Sequence, residues 1–118
     1  MEIQNLKDEL FNSLRNLVAS NELIDEDTNQ HAIRFINKLD KYGLITKNLE
    51  LSSLPDGNLT FKWSYTKPKT ASFNIDFDKT TDSLMWCCYI DGMIDNLFGR
   101  VIHLEDILPY LKKFNGIK

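Results

Sequence analysis

The sequence predicts an α+β fold for a single domain over residues 1–118: an N-terminal helical hairpin, a three- or four-stranded antiparallel meander and a C-terminal helix. Apolar residues at helical spacing near both chain ends predict the helices. The sheet is predicted because apolar and polar residues alternate across residues 58–66 and 71–78. We expect the helices to pack on the aromatic face of this sheet.

The two N-terminal helices are predicted from their apolar stripes and their ends. Asp27 is the expected N-cap of the second helix, with Gln30 three residues later as in a capping box. Gly43 stands where a helix C′ glycine belongs, and Leu44 can pack back on the last turn. The first helix is predicted over residues 2–19, with apolar positions at Ile3, Leu6, Leu10, Leu14, Leu17 and Val18.

Strands are predicted over residues 58–66, 71–78 and 83–90, and residues 93–97 are a candidate fourth strand. The segment 83–90 is apolar at odd and even positions alike, so we expect it to be central or covered on both faces. Residues 44–54 fit either a short strand or a cover over a core edge.

Glycines and a proline mark the remaining turns and the last helix. Asp91-Gly92 is typical of a two-residue hairpin loop, and Gly99 indicates a bulge or a bend. Pro109 belongs in the first turn of a helix or kinks one that began earlier. This helix is predicted from the apolar residues Leu104, Ile107, Leu108, Leu111 and Phe114.

The aromatic row of the predicted sheet has two interpretations. It is a stacking platform for single-stranded RNA or it is the core beneath the helices. A platform needs basic flanks, and the chain has a net charge of −3 with no run rich in Lys and Arg, so nucleic-acid binding is not favoured. We therefore assign to the core Phe61, Trp63, Tyr65, Phe73, Ile75 and Phe77.

Two polar groups of residues are candidates for partner binding. Glu22, Asp25, Glu26 and Asp27 lie between the two predicted helices, as a solvated loop or as a docking site for a basic partner. The second group is the polar face of the sheet, where Lys62 is a candidate cross-strand ionic partner for Asp76 and Asp78. This group consists of Lys62, Asn74, Asp76 and Asp78.

Catalytic and metal-binding patterns are not found in the sequence, which predicts neither an enzyme nor a cofactor. Asp76, Asp78, Thr80 and Asp82 match the first half of an EF-hand loop, but the required glycine and the closing glutamate are missing. The adjacent cysteines Cys87 and Cys88 would point to opposite faces of a strand, so we interpret them as reduced thiols.

Composition predicts a cytoplasmic protein. No stretch of about 20 apolar residues suits a membrane span, and the N-terminal segment MEIQNLKDEL lacks the apolar core of a signal peptide. A reducing compartment also agrees with the use of two unpaired cysteines.

The order of four segments resembles a loose group of small bacterial proteins, many of them linked to toxin–antitoxin, immunity or other mobile-element loci. The segments are PDGNLTFKWSY, FNIDFD, LMWCCYIDG and LEDILPYLKKF, which together cover about the last 60 residues. The resemblance involves turn and core residues, and it carries over no catalytic residue. It implies a protein that acts by binding another.

Two functional hypotheses follow. The first is a non-enzymatic protein-binding module, namely a bacterial or phage immunity, antitoxin-like or anti-defence inhibitor whose partner is a toxin, nuclease or defence effector. The second is a small-ligand or nucleic-acid binder that uses a gap between helices and sheet near Trp63 and Trp86. A homodimer through an open sheet edge is a further alternative.

Overall fold

Helices pack on one face of a five-stranded antiparallel sheet in the computed structural model, which describes residues 5–67, 69–78, 83–92 and 97–116. The α+β class is therefore confirmed, whereas the expected number of strands was too small. The elements of the described ranges are α1 (Leu6–Ser20), α2 (Glu26–Lys41), β1 (Leu49–Ser53), β2 (Leu59–Tyr65), β3 (Ala71–Asp78), β4 (Ser83–Ile90), β5 (Leu97–Val101), a 3₁₀ turn (Leu104–Asp106) and α3 (Leu108–Phe114).

The cap of α2 differs from the predicted one. Asp25, and not Asp27, is the N-cap, and its side chain accepts a hydrogen bond of 2.8 Å from the backbone N–H of Thr28. Gln30 donates to the Glu26 carboxylate instead of completing a capping box. The helix begins two residues early because Asp25 is itself a good cap and the buried Ile24 fixes the chain just before it.

The C-terminal end of α2 confirms the predicted glycine stop. Gly43 has a φ of 71°, and its N–H donates to the Asp40 carbonyl at 3.1 Å. The N–H of Leu44 donates to the Leu39 carbonyl at 2.9 Å, which completes a Schellman motif. Leu44 is fully buried, so the motif turns the chain from α2 directly into the core.

The five strands lie in sequence order, and each pairs with its neighbours in antiparallel fashion. The ambiguous segment before the turn at Gly57 forms β1. The last described strand is Leu97–Val101. Residues 93–96, which make up most of the candidate fourth strand and follow the predicted Asp91-Gly92 turn, lie outside the described ranges. Gly99 is not at a bulge but pairs in register with Trp86 inside β5.

The aromatic row of the sheet lies in the core, as predicted. Phe61, Trp63 and Ile75 are fully buried and Phe73 nearly so, whereas Tyr65 and Phe77 at the ends of the row are half-buried. The α2 residue Phe35 packs its ring 4.8 Å from that of Phe61 and 5.3 Å from that of Phe77. These contacts fix α2 over the centre of the sheet.

Of the two alternatives predicted for β4, central or covered on both faces, the structure favours the first. The strand is interior in the sheet order, between β3 and β5, but it is not covered on both faces. Its inward side chains include the buried Leu84 and Cys88, while outward side chains Met85 and Tyr89 are 43% and 42% exposed. The described helices occupy only the inner face, so in the described ranges the second apolar side of β4 meets solvent.

A 3₁₀ turn and α3 close the chain over the inner face. Pro109 lies in the first turn of α3, where its missing N–H is not needed. Glu105 in the 3₁₀ turn accepts hydrogen bonds from Tyr42 Oη at 3.1 Å and Lys38 Nζ at 3.4 Å. It thereby links this turn to the end of α2.

We expect Asp25→Ala to lower the free energy of unfolding by about 1 kcal/mol, because it removes the cap of α2. Asp27→Ala is the matched control and should lower it by only a few tenths of a kcal/mol, since Asp27 interacts with the helix dipole but caps nothing. Urea unfolding of both variants measures the difference. Equal losses would mean that Asp25 is not the effective cap.

The Glu105 contacts predict a pH-dependent contribution to stability. A hydrogen bond from its own backbone amide, followed by those from Tyr42 and Lys38, lowers the pKa of Glu105 against the opposing effect of burial. A carboxyl with a lowered folded-state pKa stabilises the protein above its unfolded pKa and loses that contribution as pH falls through the folded pKa. Glu105→Gln should therefore destabilise the protein at pH 7, and the difference should vanish as the pH falls through the lowered folded-state pKa. The free energies of unfolding of wild type and Glu105→Gln are compared over an acid pH series. A difference between them that does not change with pH would contradict this linkage.

Candidate functional site

The four acidic residues predicted for partner binding lie on the helical side of the protein. Glu22, Asp25, Glu26 and Asp27 are all exposed, at the connection between α1 and α2 and in the first turn of α2. Asp25 already caps the helix and Glu26 already accepts from Gln30. Half of the group therefore takes part in local helix structure, although every member remains accessible to solvent.

The predicted polar group of the sheet lies on the opposite, outer face. Lys62 is directly across from Asn74, whereas Asp76 is across from Thr60, whose hydroxyl donates to it at 2.6 Å. The candidate ion pair between Lys62 and Asp76 is not among the ion pairs of the described residues. Asp78 ends β3, and its side chain lies outside the described part of the structure.

An exposed apolar cluster beside this polar group was not predicted. Phe98 on β5 is 79% exposed, and it lies directly across from Cys87 on β4. Met85 and Tyr89 are two residues away from Cys87 on either side, so they share its face. We name this cluster the outer patch; it consists of Met85, Cys87, Tyr89 and Phe98.

Polar residues border the outer patch. Asn74 lies across from Cys87 on β3, and its amide nitrogen is 3.6 Å from the cysteine sulfur. Asp76 and Arg100 flank Met85 on its two neighbouring strands. An apolar centre with a polar rim is the usual arrangement of a protein–protein interface. The sequence signal for the patch is the apolar run of β4, which predicts a strand that is central or covered on both faces.

A second apolar surface lies on the inner face, between the sheet and α3. It is a cleft of about 730 Å³, a volume within the usual range for small-molecule sites. We name it the α3 cleft. Its described lining residues are Tyr65, Lys67, Lys69, Ala71, Phe73, Trp86, Cys88, Ile90, Leu97, Tyr110, Lys113, Phe114, Asn115 and Gly116.

A stack of three rings forms one wall of the α3 cleft. The Trp86 indole stacks with the rings of Phe73 and Tyr110, whose centroids are 5.5 Å and 5.6 Å away and whose planes are within 20° of parallel. Gly99 allows this position, because a Cβ added there would lie 2.9 Å from the indole nitrogen. Of the two tryptophans predicted near a ligand gap, Trp86 lines the cleft whereas Trp63 is fully buried in the core.

Hydrogen bonds hold the far end of α3 against the sheet. Asn115 accepts at its Oδ1 from Tyr65 Oη at 2.8 Å and from Asn48 Nδ2 at 3.3 Å. The ring of Phe114 lies 5.4 Å from that of Tyr65 and 5.7 Å from that of Phe73. These contacts fix the wall of the cleft that α3 supplies.

A third concave surface, of about 630 Å³, lies where the start of α2 meets the ends of β3 and β4. Asp25 and Asp27 line it together with Arg34 and Lys38, so both signs of charge are present. The hydroxyl of Thr28 is buried there without a hydrogen-bond partner in the described structure. The mixed charges give this groove no preference for an ion of one sign.

Metal-binding and nucleophilic groupings are not evident in the described ranges. No three His, Cys, Asp or Glu residues there are grouped closely enough to hold a metal ion. Both cysteines are free, with Cys87 exposed and Cys88 buried. Burial, together with the neighbouring Cys87, raises the pKa of the Cys88 thiol. The thiol is thus protonated at neutral pH and a poor nucleophile.

Comparison of the chain with protein-family models, with curated proteins and with solved structures gave no match. Within the described residues, no helix has both the length and the apolar character that crossing a bilayer requires.

The fit of Trp86 over Gly99 predicts the effect of a single methyl group. Gly99→Ala should displace the indole from the ring stack and lower the free energy of unfolding by about 1–3 kcal/mol, as overpacking generally does. Acrylamide quenching of tryptophan fluorescence should increase, since Trp63 is shielded and Trp86 is the accessible fluorophore. Phe98→Ala on the same strand is the control and should leave acrylamide quenching unchanged. If Gly99→Ala also left quenching unchanged, the close fit of Trp86 over Gly99 would be contradicted.

Proposed function

We propose that the protein is a non-enzymatic, cytoplasmic protein-binding module that inhibits its partner by occupying it. The outer patch is the centre of the contact surface, and the polar residues Lys62, Asn74 and Asp76 form its rim. The resemblance to small proteins of immunity and toxin–antitoxin loci supports the inhibitor class. Toxins, nucleases and defence effectors are the proposed partners.

The observation that carries this proposal is the exposure of Phe98 beside Met85 and Tyr89 on a sheet face that no described element covers. Scattered apolar residues are normal on protein surfaces, but neighbouring large ones mark sites of interaction. Aromatic residues and methionine are also the types enriched at such interfaces. A partner that covers Phe98 would remove the largest exposed ring of the described surface from water.

The edge position of β5 supports the same surface. In the described structure β5 pairs with β4 alone, so the backbone of its other side is open to a further strand. Extended segments of partners commonly add to such edges, where main-chain hydrogen bonds supply affinity and alternate side chains supply specificity. We propose that the partner contributes an extended segment whose apolar side chains alternate onto the outer patch.

A substitution in the outer patch tests the proposal. Phe98→Asp places a charge at the centre of the contact, whereas Leu23→Asp places one at an apolar residue of the helical side that is 60% exposed. A partner captured from native host extract is purified and titrated against wild type and both variants. We expect Phe98→Asp to weaken binding by at least about tenfold, which is roughly 1.4 kcal/mol, and Leu23→Asp to leave it unchanged.

Two further measurements decide what is bound and where. Amide hydrogen exchange should show protection of β5 and of the outward residues of β4 in the complex. Protection confined to the acidic residues around Asp25, or equal binding by Phe98→Asp, would contradict the proposed surface. Concentration-dependent sedimentation of the protein alone distinguishes a foreign partner from a second copy: a dimer abolished by Phe98→Asp would make this surface a homodimer interface instead.

A further inference from the structure

We infer that the α3 cleft binds a small amphiphilic anion, namely a chain-like apolar body that ends in a carboxylate or a phosphate. This site lies on the inner side of the sheet, opposite the outer patch, and is independent of the proposed protein contact. Its described lining has three parts, which are an apolar interior, a group of three lysines and an aromatic wall.

The interior of the cleft suits an apolar ligand body. Side chains of Ala71, Ile90 and Leu97 line it from the sheet, and Phe114 lines it from α3. Leu97 is 47% exposed, so water reaches this apolar surface when the cleft is empty. Displacing that water by methylene groups is favourable in proportion to the area covered.

The charges at the cleft select the head group. Lys67 and Lys69 lie at the turn between β2 and β3, and Lys113 faces them from α3. None of these lysines forms an ion pair within the described residues, and no described lining residue is acidic. This is a local excess of three positive charges in a chain whose net charge is −3. An anionic head is therefore the complementary group.

The ring stack argues for a chain-like body and against a nucleobase. A base binds most simply by stacking on an exposed aromatic face. Phe73 and Tyr110 already stack with the Trp86 indole, with planes 7° and 20° from parallel. A flat ligand that stacks on the indole would compete with these two rings, whereas an aliphatic chain can lie along the ring edges.

The test titrates the protein with five probes, each below its micellar concentration: dodecanoate, dodecyl phosphate, dodecanol, dodecyltrimethylammonium and AMP. Calorimetry gives the affinities, and acrylamide quenching reports on Trp86. We expect dodecanoate or dodecyl phosphate to bind at least about tenfold more tightly than dodecanol, a difference of roughly 1.4 kcal/mol. The ammonium compound should not bind, and the occupied cleft should protect Trp86 from acrylamide.

Two variants and a matched control locate the site. The triple variant K67Q/K69Q/K113Q should lose the preference for an anion over dodecanol, whereas K41Q/K47Q/K62Q removes the same charge from lysines outside the described lining and should keep it. Ala71→Phe fills the cleft and should abolish binding of every chain-like probe. Phe98→Asp should bind the anions normally, so that failure of the protein contact and failure of this site are distinguishable.

The possible outcomes either support or overturn the inference. Binding of the carboxylate alone supports a fatty-acid-type ligand, and binding of the phosphate alone supports a phosphorylated one. Equal binding of dodecanol and dodecanoate, an unchanged anion preference in K67Q/K69Q/K113Q, or no binding of any amphiphile would overturn it. Saturable binding of AMP without amphiphile binding would replace it by a nucleotide site.

Discussion

The hydrogen bond from the indole nitrogen of Trp63 to the Leu44 carbonyl, 2.9 Å long, joins the two layers of the protein at the centre of the core. A buried tryptophan needs an acceptor for its N–H, because an unsatisfied donor would be expensive in an apolar interior. The Schellman end of α2 supplies that acceptor by turning Leu44 inward. The position of α2, the aromatic contacts of Phe35 and the burial of the central strands all depend on this junction.

Packing on one side leaves the other face of the sheet without a described cover. An antiparallel sheet tolerates this well when its outer residues are polar, as Thr60, Lys62 and Ser64 are on β2. The same sheet changes character towards β5, where apolar residues occupy outward positions. The outer surface thus grades from polar at β2 to apolar at the β5 edge.

Much of the inner architecture could be predicted from the sequence, because it depends on local patterns. The alternation in β2 and β3 identified both strands to within a residue or two at each end, and Gly43 identified the end of α2. The cap of α2 was misplaced because Asp25 and Asp27 have the same side chain two positions apart. Local pattern alone does not choose between them; the buried Ile24 does.

The sequence predicted the last strand only as a candidate over residues 93–97, and it did not reveal the outer patch, for a different reason. The apolar run of β4 does not reveal whether the second face of the strand is covered or exposed. Its exposure depends on where helices distant in sequence pack. The strand β5 is short and lacks regular apolar–polar alternation. It also contains Gly99, and the sequence alone does not show that Gly99 is needed to make room for the Trp86 indole. The α3 cleft likewise combines residues from β2 to α3 that no motif connects. Its lysines are separated in sequence, so they did not stand out as a basic run.

Cys87 gives the outer patch a chemical consequence. Its thiol is free and exposed between Met85 and Tyr89, with Phe98 opposite. If two copies met through this face under oxidising conditions, their Cys87 thiols could form an intermolecular disulfide. The outer patch of each copy would then be covered by the other copy and inaccessible to a different protein. Reduction of such a disulfide would expose the outer patch again, so the accessibility of this face in a pair of that kind would follow the thiol redox state.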